Sequence, residues 1–435
     1  MPKYFTFKGG IHPGEFKFTE KDAIEDFVAP DVVYIPLSQH FGKPAKPVVK
    51  KGDKVYVGSL IGEPDGGFSA SIHSSVSGTV KKVDKYHHFS GNMEQTVIIE
   101  NDGQMEKDPA IKSAYSDSIT PEKIIEIARN YGIVGLGGAT FPASIKMSPP
   151  PGKTFDTLIL NGAECEPYLT SDHRLMIESP EEIILGALLI KKAINANRLI
   201  IAIEENKMDA VSVYEKIKDK YKFDIAILKT KYPQGGEKQI IKAILDREVP
   251  EGGLPVDVHT YVQNVGTAYA LWDAVYNGMP LVKRIVSITG SVKNRKNLKV
   301  AIGTPISALI EHCGGYMGEA GKLIAGGPMM GIALYTDKIP VTKGTSGILI
   351  QRKEEMSLDE PTNCIRCGRC ISSCPMNLMP NLLGDFSEFY KFEESKDLGV
   401  LNCIECGSCS YVCPAKRHLV QLIKVTKAEL KKKGR

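Results

Sequence analysis

The pattern C-x-x-C-x-x-C-x-x-x-C-P occurs twice near the end of this chain, as Cys364, Cys367, Cys370 and Cys374-Pro375 and again as Cys403, Cys406, Cys409 and Cys413-Pro414. Thiols packed this densely must be gathered around a metal or bridged, and that narrows the possible folds sharply. A cubane iron-sulfur cluster takes four thiolates: two-residue gaps wrap three of them round one side, and the fourth reaches across to another cluster. The reading is two crossed sets. Cys364, Cys367, Cys370 and Cys413 hold one [4Fe-4S] cluster, and Cys374, Cys403, Cys406 and Cys409 hold the second. Structural zinc, the alternative, usually comes as two separated C-x-x-C pairs. Cys165 and Cys313 stand outside the pattern and read as ordinary buried thiols.

Composition sets the limits around this module. The 435 residues, 42% hydrophobic and 24% charged, are ordinary for a globular protein and long enough for about three domains. Apolar runs such as Ile183 to Ile190 are cut by Lys191 and Lys192, short of the roughly 18 residues a membrane span needs. The start, MPKYFTFKGG, lacks an apolar h-region and cleavage site, so secretion is not expected and the thiols should stay reduced. The net charge of +4 is uneven, because residues 416–435 hold eight basic side chains and one acid. A mildly acidic body therefore carries a cationic tail. In that tail, 421–435, a stripe begun by Leu419 and continued by Leu422, Ile423 and Leu430 precedes Lys431, Lys432 and Lys433. This reads as a capping helix with a solvated basic end; the sharper alternative is contact with an anionic membrane face. The charge is short and lacks interleaved aromatics, so nucleic acid is not an expected partner.

Hydrophobic periodicity divides the remainder. Residues 1–105 read as strands and turns, since VVKKGDKVYVGSLIGEP and SIHSSVSGTVKKV alternate around glycine breaks. The spacing resembles the barrel-sandwich fold of lipoyl and biotinyl carriers, yet Ile72 to Gly78 contains no lysine to modify, so a structural or docking role is expected. His12, His73, His87 and His88 are scattered and read as surface or core residues. Over 118–284 short β-branched runs alternate with helices. Thr120-Pro121-Glu122 opens one helix, and a capping box is expected from Ser179 to Glu182 in another. This pattern predicts a parallel sheet covered on both faces, with ligands at the C-terminal strand ends. Residues 285–350 read as a compact α+β unit, and 355–420 as the cysteine module.

Polar loops in the 118–284 unit carry the second signal. Gly132 to Pro142, reading GIVGLGGATFP and followed by Lys146, is neither a P-loop nor a G-x-G-x-x-G fingerprint. Its glycines would let a planar ring or a phosphate approach bare backbone, though a glycine run is equally a plain tight turn. Asn161, Glu164 and Glu166 follow the TFDTLILNG strand, Tyr232 to Lys238 follow FDIAILKT, and Val262 to Thr267 add further amides. Each alone is a solvated loop. Together they would form a polar rim around a glycine platform.

These residues carry a likeness. GLGGATFP with Lys146, N-x-x-E-x-E-P at Asn161 to Pro167, Y-x-x-G-x-E at Tyr232 to Glu237 and Q-N-V-x-T at Gln263 to Thr267 resemble the NADH-binding flavoprotein subunit of respiratory complex I. The order of units, with ECEPY and YPQGGEKQ, resembles the C-subunit family of the Rnf complex, the ion-translocating ferredoxin:NAD oxidoreductase. The resemblance implies a multidomain α/β protein. Its parts would be an N-terminal barrel-sandwich-like β domain, a Rossmann-like FMN/NADH domain, a β-grasp (soluble-ligand-binding-like) domain and an α-helical two-cluster ferredoxin-like module. It implies that Gly135, Gly137, Gly138 and Lys146 contact FMN, that Asn161, Glu164 and Asn264 lie near its ribityl and phosphate, and that Phe141, Glu166, Tyr232 and Glu237 border the NADH site. The chain departs from the complex I pattern at Leu136, Ala163, Gly236 and Gln263, which stand where that family has Arg, Asp, Glu and Asn.

The implied activity is exchange of a hydride between NADH and FMN, with single electrons passed through two [4Fe-4S] clusters. The implied partners are the integral membrane and ferredoxin-like subunits of the same complex. The place would be peripheral, on the cytoplasmic face of the cell membrane. A soluble NADH-dependent cobalamin reductase of diol-degrading microcompartments is similar in domain order. An electron-carrying adaptor without nucleotide binding is the reading from another class.

Overall fold

The computed structural model describes residues 4–356 and 359–433. Met1 to Lys3, Ser357, Leu358, Gly434 and Arg435, at the ends of the first unit, the module and the tail, lie outside the described residues.

Alternation builds the first unit. Val33, Ile35, Val80, Val97 and Ile99 are fully buried, and they seal Val32–Pro36, Met93–Asn101, Gly78–His87 and Lys54–Val55 into one antiparallel sheet. A second sheet, of Lys46–Pro47, Leu60–Glu63 and Ile72–His73, shares the same core through Ile61 and Ile72. The stretch ahead of it follows another path. Phe5 exchanges backbone hydrogen bonds with Ile227 and Lys229, Gly10 N–H bonds the Ser373 carbonyl, and Ile24–Asp26 runs parallel to Lys296–Ala301. Sequence pattern joins this stretch to the 1–105 unit, but its backbone bonds go to the three later units. An extended segment finds its partners through space.

Thr157–Gly162, Arg198–Glu204, Asp224–Leu228 and Thr260–Asn264 form the parallel sheet, and residues along each strand alternate between its two faces. Leu158, Leu160, Ile201 and Ile203 join the core that also takes Ile183, Ile184 and Leu271, from helices Pro180–Ala193 and Val265–Tyr276. Ile159, Ala202 and Val262 pack with Ile240 and Ile241 of helix Glu237–Leu245. In space the strands run 224–228, 198–204, 157–162, 260–264. The chain thus steps outward twice and returns on the other side of Thr157–Gly162, which opens a crevice at the strand ends. Asn161 and Asn264 are register partners at that point.

Local signals differ in their outcome. The Thr120 hydroxyl caps helix Pro121–Asn130 by accepting from Lys123 N–H at 3.3 Å. The box expected at Ser179 and Glu182 does not form. Ser179 also ends the preceding helix, Ser171–Glu178, with its N–H on the Leu175 carbonyl, and makes no side-chain cap bond.

The third unit is a mixed six-stranded sheet in which Ile24–Asp26 joins Lys283–Gly290, Lys296–Ala301, Ala320–Ala325, Ile332–Leu334 and Gly347–Arg352. Helix Ile306–His312 buries Ile306, Leu309 and Ile310 against it. The cysteine module is helical, and its last helix, Leu419–Lys433, lays Leu419 and Ile423 inward beside helix Pro380–Glu388. Arg417, only 6% exposed, clamps that junction through Asp385 at 2.7 Å and Glu388 at 2.8 Å. Among the described residues no helix is long and apolar enough to cross a membrane.

Candidate functional site: a glycine platform joined to two cysteine sets

The glycine loop leaves helix Pro121–Asn130 and is closed by Gly135 N–H on the Phe141 carbonyl at 2.9 Å and Ala143 N–H on the Ile133 carbonyl at 3.0 Å. Gly138 adopts φ +123°, which side-chain-bearing residues rarely reach, and a Cβ there would meet nothing within 4 Å. The loop therefore offers open backbone. On its inner side a Cβ on Gly137 would lie 3.3 Å from that of Asn264. Leu136 N–H donates to Thr267 Oγ1 at 2.8 Å, and the Leu136 carbonyl accepts from the Arg284 guanidinium at 3.4 Å.

Polar groups at the switch point are mutually fixed. Asn264 Oδ1 caps helix Val265–Tyr276 by accepting from Gly266 N–H at 2.8 Å and Thr267 N–H at 3.3 Å, while its Nδ2 donates to Asp172 at 2.6 Å. Asn161 donates to the Gly235 carbonyl at 2.9 Å and accepts from Ala163 N–H at 3.2 Å. The Glu164 carboxylate accepts from Asp172 N–H at 2.8 Å and His173 N–H at 3.1 Å, so it sits at the positive end of helix Ser171–Glu178. Lys146 Nζ donates to Glu237 at 2.6 Å and to the Val262 carbonyl at 2.7 Å. Burial, reinforced by the Glu164 charge, pushes the Asp172 carboxyl up to about 7. Burial likewise lowers Arg284 to about 10, although Asp172 opposes the shift. Bare glycine backbone, amides, a half-buried carboxyl and a buried guanidinium suit a planar ring with a hydroxylated, phosphorylated tail.

The four residues expected at the NADH site divide. Phe141 stands at the loop rim, with ring centroids 5.8 Å from Phe41 and 5.4 Å from Phe68. Glu237 keeps 38% of its side chain exposed. Tyr232, by contrast, is 1% exposed and its hydroxyl donates to the Cys406 carbonyl at 2.7 Å. The Glu166 carboxylate accepts from Met329 N–H at 3.1 Å and Met330 N–H at 2.7 Å, and burial pushes it up to about 7. Both make contacts between units.

The thiols gather in two crossed groups. Cys364, Cys367, Cys370 and Cys413 line one cavity with Pro414, Arg417 and Leu419. Cys374 lies elsewhere, in electrostatic reach of Cys406, and Cys403, Cys406 and Cys374 all act on Cys409. Among the described residues no three His, Cys, Asp or Glu side chains converge closely enough for a single metal ion. Burial raises Cys403 to about 11 and Cys409 to about 12. Such a nest of thiols ionises only around strong positive charge, which iron supplies.

Several residues of the site escape sequence reasoning. Asp172 was signalled only by its place at a helix start in Thr170-Ser171-Asp172, and Arg284 only as the head of a strand. Arg284 and Asp172 give the crevice a buried arginine and a half-buried aspartate although Leu136 and Ala163 carry no charge. Lys343, 1% exposed, donates at 2.7 Å to both the Ser71 and Gly132 carbonyls, tying the β unit and the third unit to the start of the glycine loop. Lys17 donates to the carbonyls of Glu164, Glu166 and Leu169 at 2.7–2.9 Å and so holds the N-terminal stretch on the site. A lone lysine carries no sequence signal for such a role.

Family models match in the same order as the units. The RnfC barrel sandwich hybrid domain covers residues 5–104, the Nuo51 FMN-binding domain 128–273, the SLBB domain 285–333 and the 4Fe-4S dicluster domain 356–414. The structure is similar to a chain of an NAD+-reducing [NiFe]-hydrogenase in the H2-reduced state, at a TM-score of 0.53 and 17% identity over 74% of this chain and 69% of that one, a likeness of fold. Among curated relatives, the C subunit of the Na(+)-translocating ferredoxin:NAD(+) oxidoreductase complex of Acetobacterium woodii is 45% identical, covering 98% of each chain. The proton-translocating counterpart of Clostridium ljungdahlii is 45% identical over 99% of this chain and 95% of its own length. The C subunit of the ion-translocating oxidoreductase complex of Rhodobacter capsulatus is 41% identical over 98% of this chain and 83% of its own. Identity at this level over nearly the whole length of these relatives means that the chain belongs to the C-subunit family of the ion-translocating ferredoxin:NAD(+) oxidoreductase complexes.

Proposed function

We propose that this chain is the peripheral subunit at which a membrane-bound, ion-translocating ferredoxin:NAD oxidoreductase exchanges electrons with NADH, on the cytoplasmic face of the membrane. One observation carries the reading: Tyr232, on the loop after a strand of the flavin unit, is bonded to the Cys406 carbonyl at 2.7 Å, so the nucleotide unit and one cysteine set form a continuous structure. When bound, FMN supplies the exchange between two-electron hydride chemistry and one-electron chemistry, and two [4Fe-4S] clusters supply a one-electron relay.

The chain's own residues orient and enclose these groups. Gly135, Gly137 and Gly138 admit a flat ring to the backbone. Asn161, Glu164 and Asn264 face the hydroxylated tail, and Lys146 adds positive charge nearby. Phe141 and Glu237 border the dinucleotide; Glu166 and Tyr232 position the surrounding units. Cys374, Cys403, Cys406 and Cys409 hold the inner cluster beside the flavin unit. Cys364, Cys367, Cys370 and Cys413 hold the outer one, where exposed Cys367 and Ile365 face the partner subunits of the complex. In this reading the first unit is a barrel-sandwich hybrid, the second Rossmann-like, the third a β-grasp and the module ferredoxin-like. Exposed Lys431 and Lys432 of the tail meet an anionic membrane surface.

Anaerobic mixing of the reconstituted chain with NADH tests the proposal. Bleaching of flavin absorbance followed by cluster reduction is expected; retained clusters with no flavin response to NADH would overturn it. Capture of integral membrane subunits by the tagged chain tests its place in the complex.

A further inference from the structure

Two aromatic residues of the first unit stand beside the glycine loop with their rings in solvent. Phe41 is 57% exposed and Phe68 49%, each within 6 Å of the Phe141 ring, centroid to centroid, and 6.1 Å from one another. Their placement is fixed by backbone. Phe41 N–H donates to the Thr140 carbonyl at 3.1 Å, one residue before Phe141. Lys43 N–H donates to the Phe68 carbonyl at 2.8 Å. At Gly42, φ +107°, a Cβ would come 2.1 Å from that same carbonyl, so only glycine lets the two loops close. Two large apolar rings are thus held in water against the half-buried ring of Phe141 at the rim of a crevice, where burial of either would have been favourable.

We propose that Phe41 and Phe68 form, with Phe141, an adenine-binding subsite for NADH, contributed by the N-terminal β unit. This rests on the reading that the glycine loop holds FMN and that Phe141 borders the dinucleotide. Hydride transfer requires the nicotinamide ring against the flavin, which Gly135, Gly137 and Gly138 would hold. The ring trio stands at the rim of that platform, and it meets the other heterocycle of the dinucleotide. Tyr232, the other aromatic residue expected to border the NADH site, is buried with its hydroxyl on the Cys406 carbonyl, whereas Phe141 and its two neighbours stand at the loop rim. Adenine is flat and uncharged and stacks on such rings in offset or edge-to-face geometry. The carrier-like fold without a carrier lysine thereby gains a role: it completes the substrate site.

The test uses the full chain loaded with flavin and clusters, with NADH and reduced nicotinamide mononucleotide, which lacks the adenosine half, as alternative donors to an artificial acceptor. In the double variant F41A/F68A, the preference for NADH over the mononucleotide, as a ratio of kcat/KM, should fall about ten- to hundredfold. The loss should lie in KM for NADH, and F41Y/F68Y should restore most of it. An equal loss with both donors, or a preference that does not change, would overturn the subsite and make the rings a domain contact. If the unaltered chain reduces its flavin with neither donor, the parent reading fails and the subsite with it. Flavin content and melting temperature of each variant show that the fold is retained.

Discussion

The two cysteine sets share one spacing and live in different surroundings. The outer set opens to solvent: Cys367 is exposed, Cys364 half-buried, and the neighbouring Ile365 is 67% exposed. The inner set has Cys374, Cys406 and Cys409 buried, and it is packed from outside its own module. Tyr232 bonds Cys406, Met329 of the third unit packs with it, and a Cβ on Gly9 would lie 2.7 Å from the Cys374 carbonyl. The repeat thus encodes two equivalent sets of thiols, and the rest of the chain makes one internal and the other external. A relay needs that asymmetry, since one end must meet the flavin unit and the other a partner.

Exchanging one ligand from each repeat tests the difference most strongly. Cys374→Ser and Cys413→Ser should each reduce iron from about eight to about four per chain. If the sets are crossed, the cluster left in C374S is the outer one and is stripped quickly by a chelator, while that left in C413S is stripped slowly. The opposite order would mean that each repeat fills its own set.

Smaller changes act on the inner set alone. Lys427 donates to the Cys403 carbonyl at 2.9 Å and pairs with Glu405. Lys427→Met should move only the inner cluster to a more negative potential in a redox titration, because it removes nearby positive charge. A shift of both clusters would show that the sets are not electrostatically distinct. Tyr232→Phe removes one hydrogen bond and leaves the Cys406 carbonyl unpaired, so chemical denaturation should show a loss of about 1–3 kcal/mol. Limited proteolysis should release the cysteine module earlier.

The gentlest test is pH. Glu166 anchors Met329 and Met330, and burial raises its carboxyl from an ordinary 4.5 to about 7. Between those values the folded chain holds a proton that the unfolded chain has released, so stability falls as pH rises from about 4.5 to 7. The slope from this group is at most about 1.4 kcal/mol per pH unit. Glu166→Gln should flatten it in denaturation curves at pH 5.5, 6.5 and 7.5; an unchanged slope would mean that the loop over Cys406 is held some other way.

Much of the fold was legible in advance. Alternation marked the first unit, the change to helix-strand alternation marked the parallel sheet, and Thr120-Pro121 marked a helix start that forms as expected. Ser179 misled, because a residue shared by two helices cannot serve both as its motif suggests. At the site, the loops after the strands were legible because a parallel sheet sends its ligand-facing ends to one side. The roles within those loops were less so. Tyr232 and Glu166 look like ligand residues in sequence, yet their polar atoms are taken up by Cys406 and by the Met329 loop.

By itself the sequence determined which groups exist and how near they lie along the chain: eight thiols at fixed spacing, a glycine run, and amides and carboxylates at strand ends. Those are local properties, set by residue type and by separations of a few residues. Tertiary structure decided which thiols sit together, which set is internal, and that Asp172 and Arg284 meet at the crevice. It also decided that Phe41 and Phe68, about 100 and 70 residues from Phe141 respectively, stand beside it. Such pairings are made by packing between units, where burial and backbone hydrogen bonding act on distance in space and are indifferent to distance along the chain.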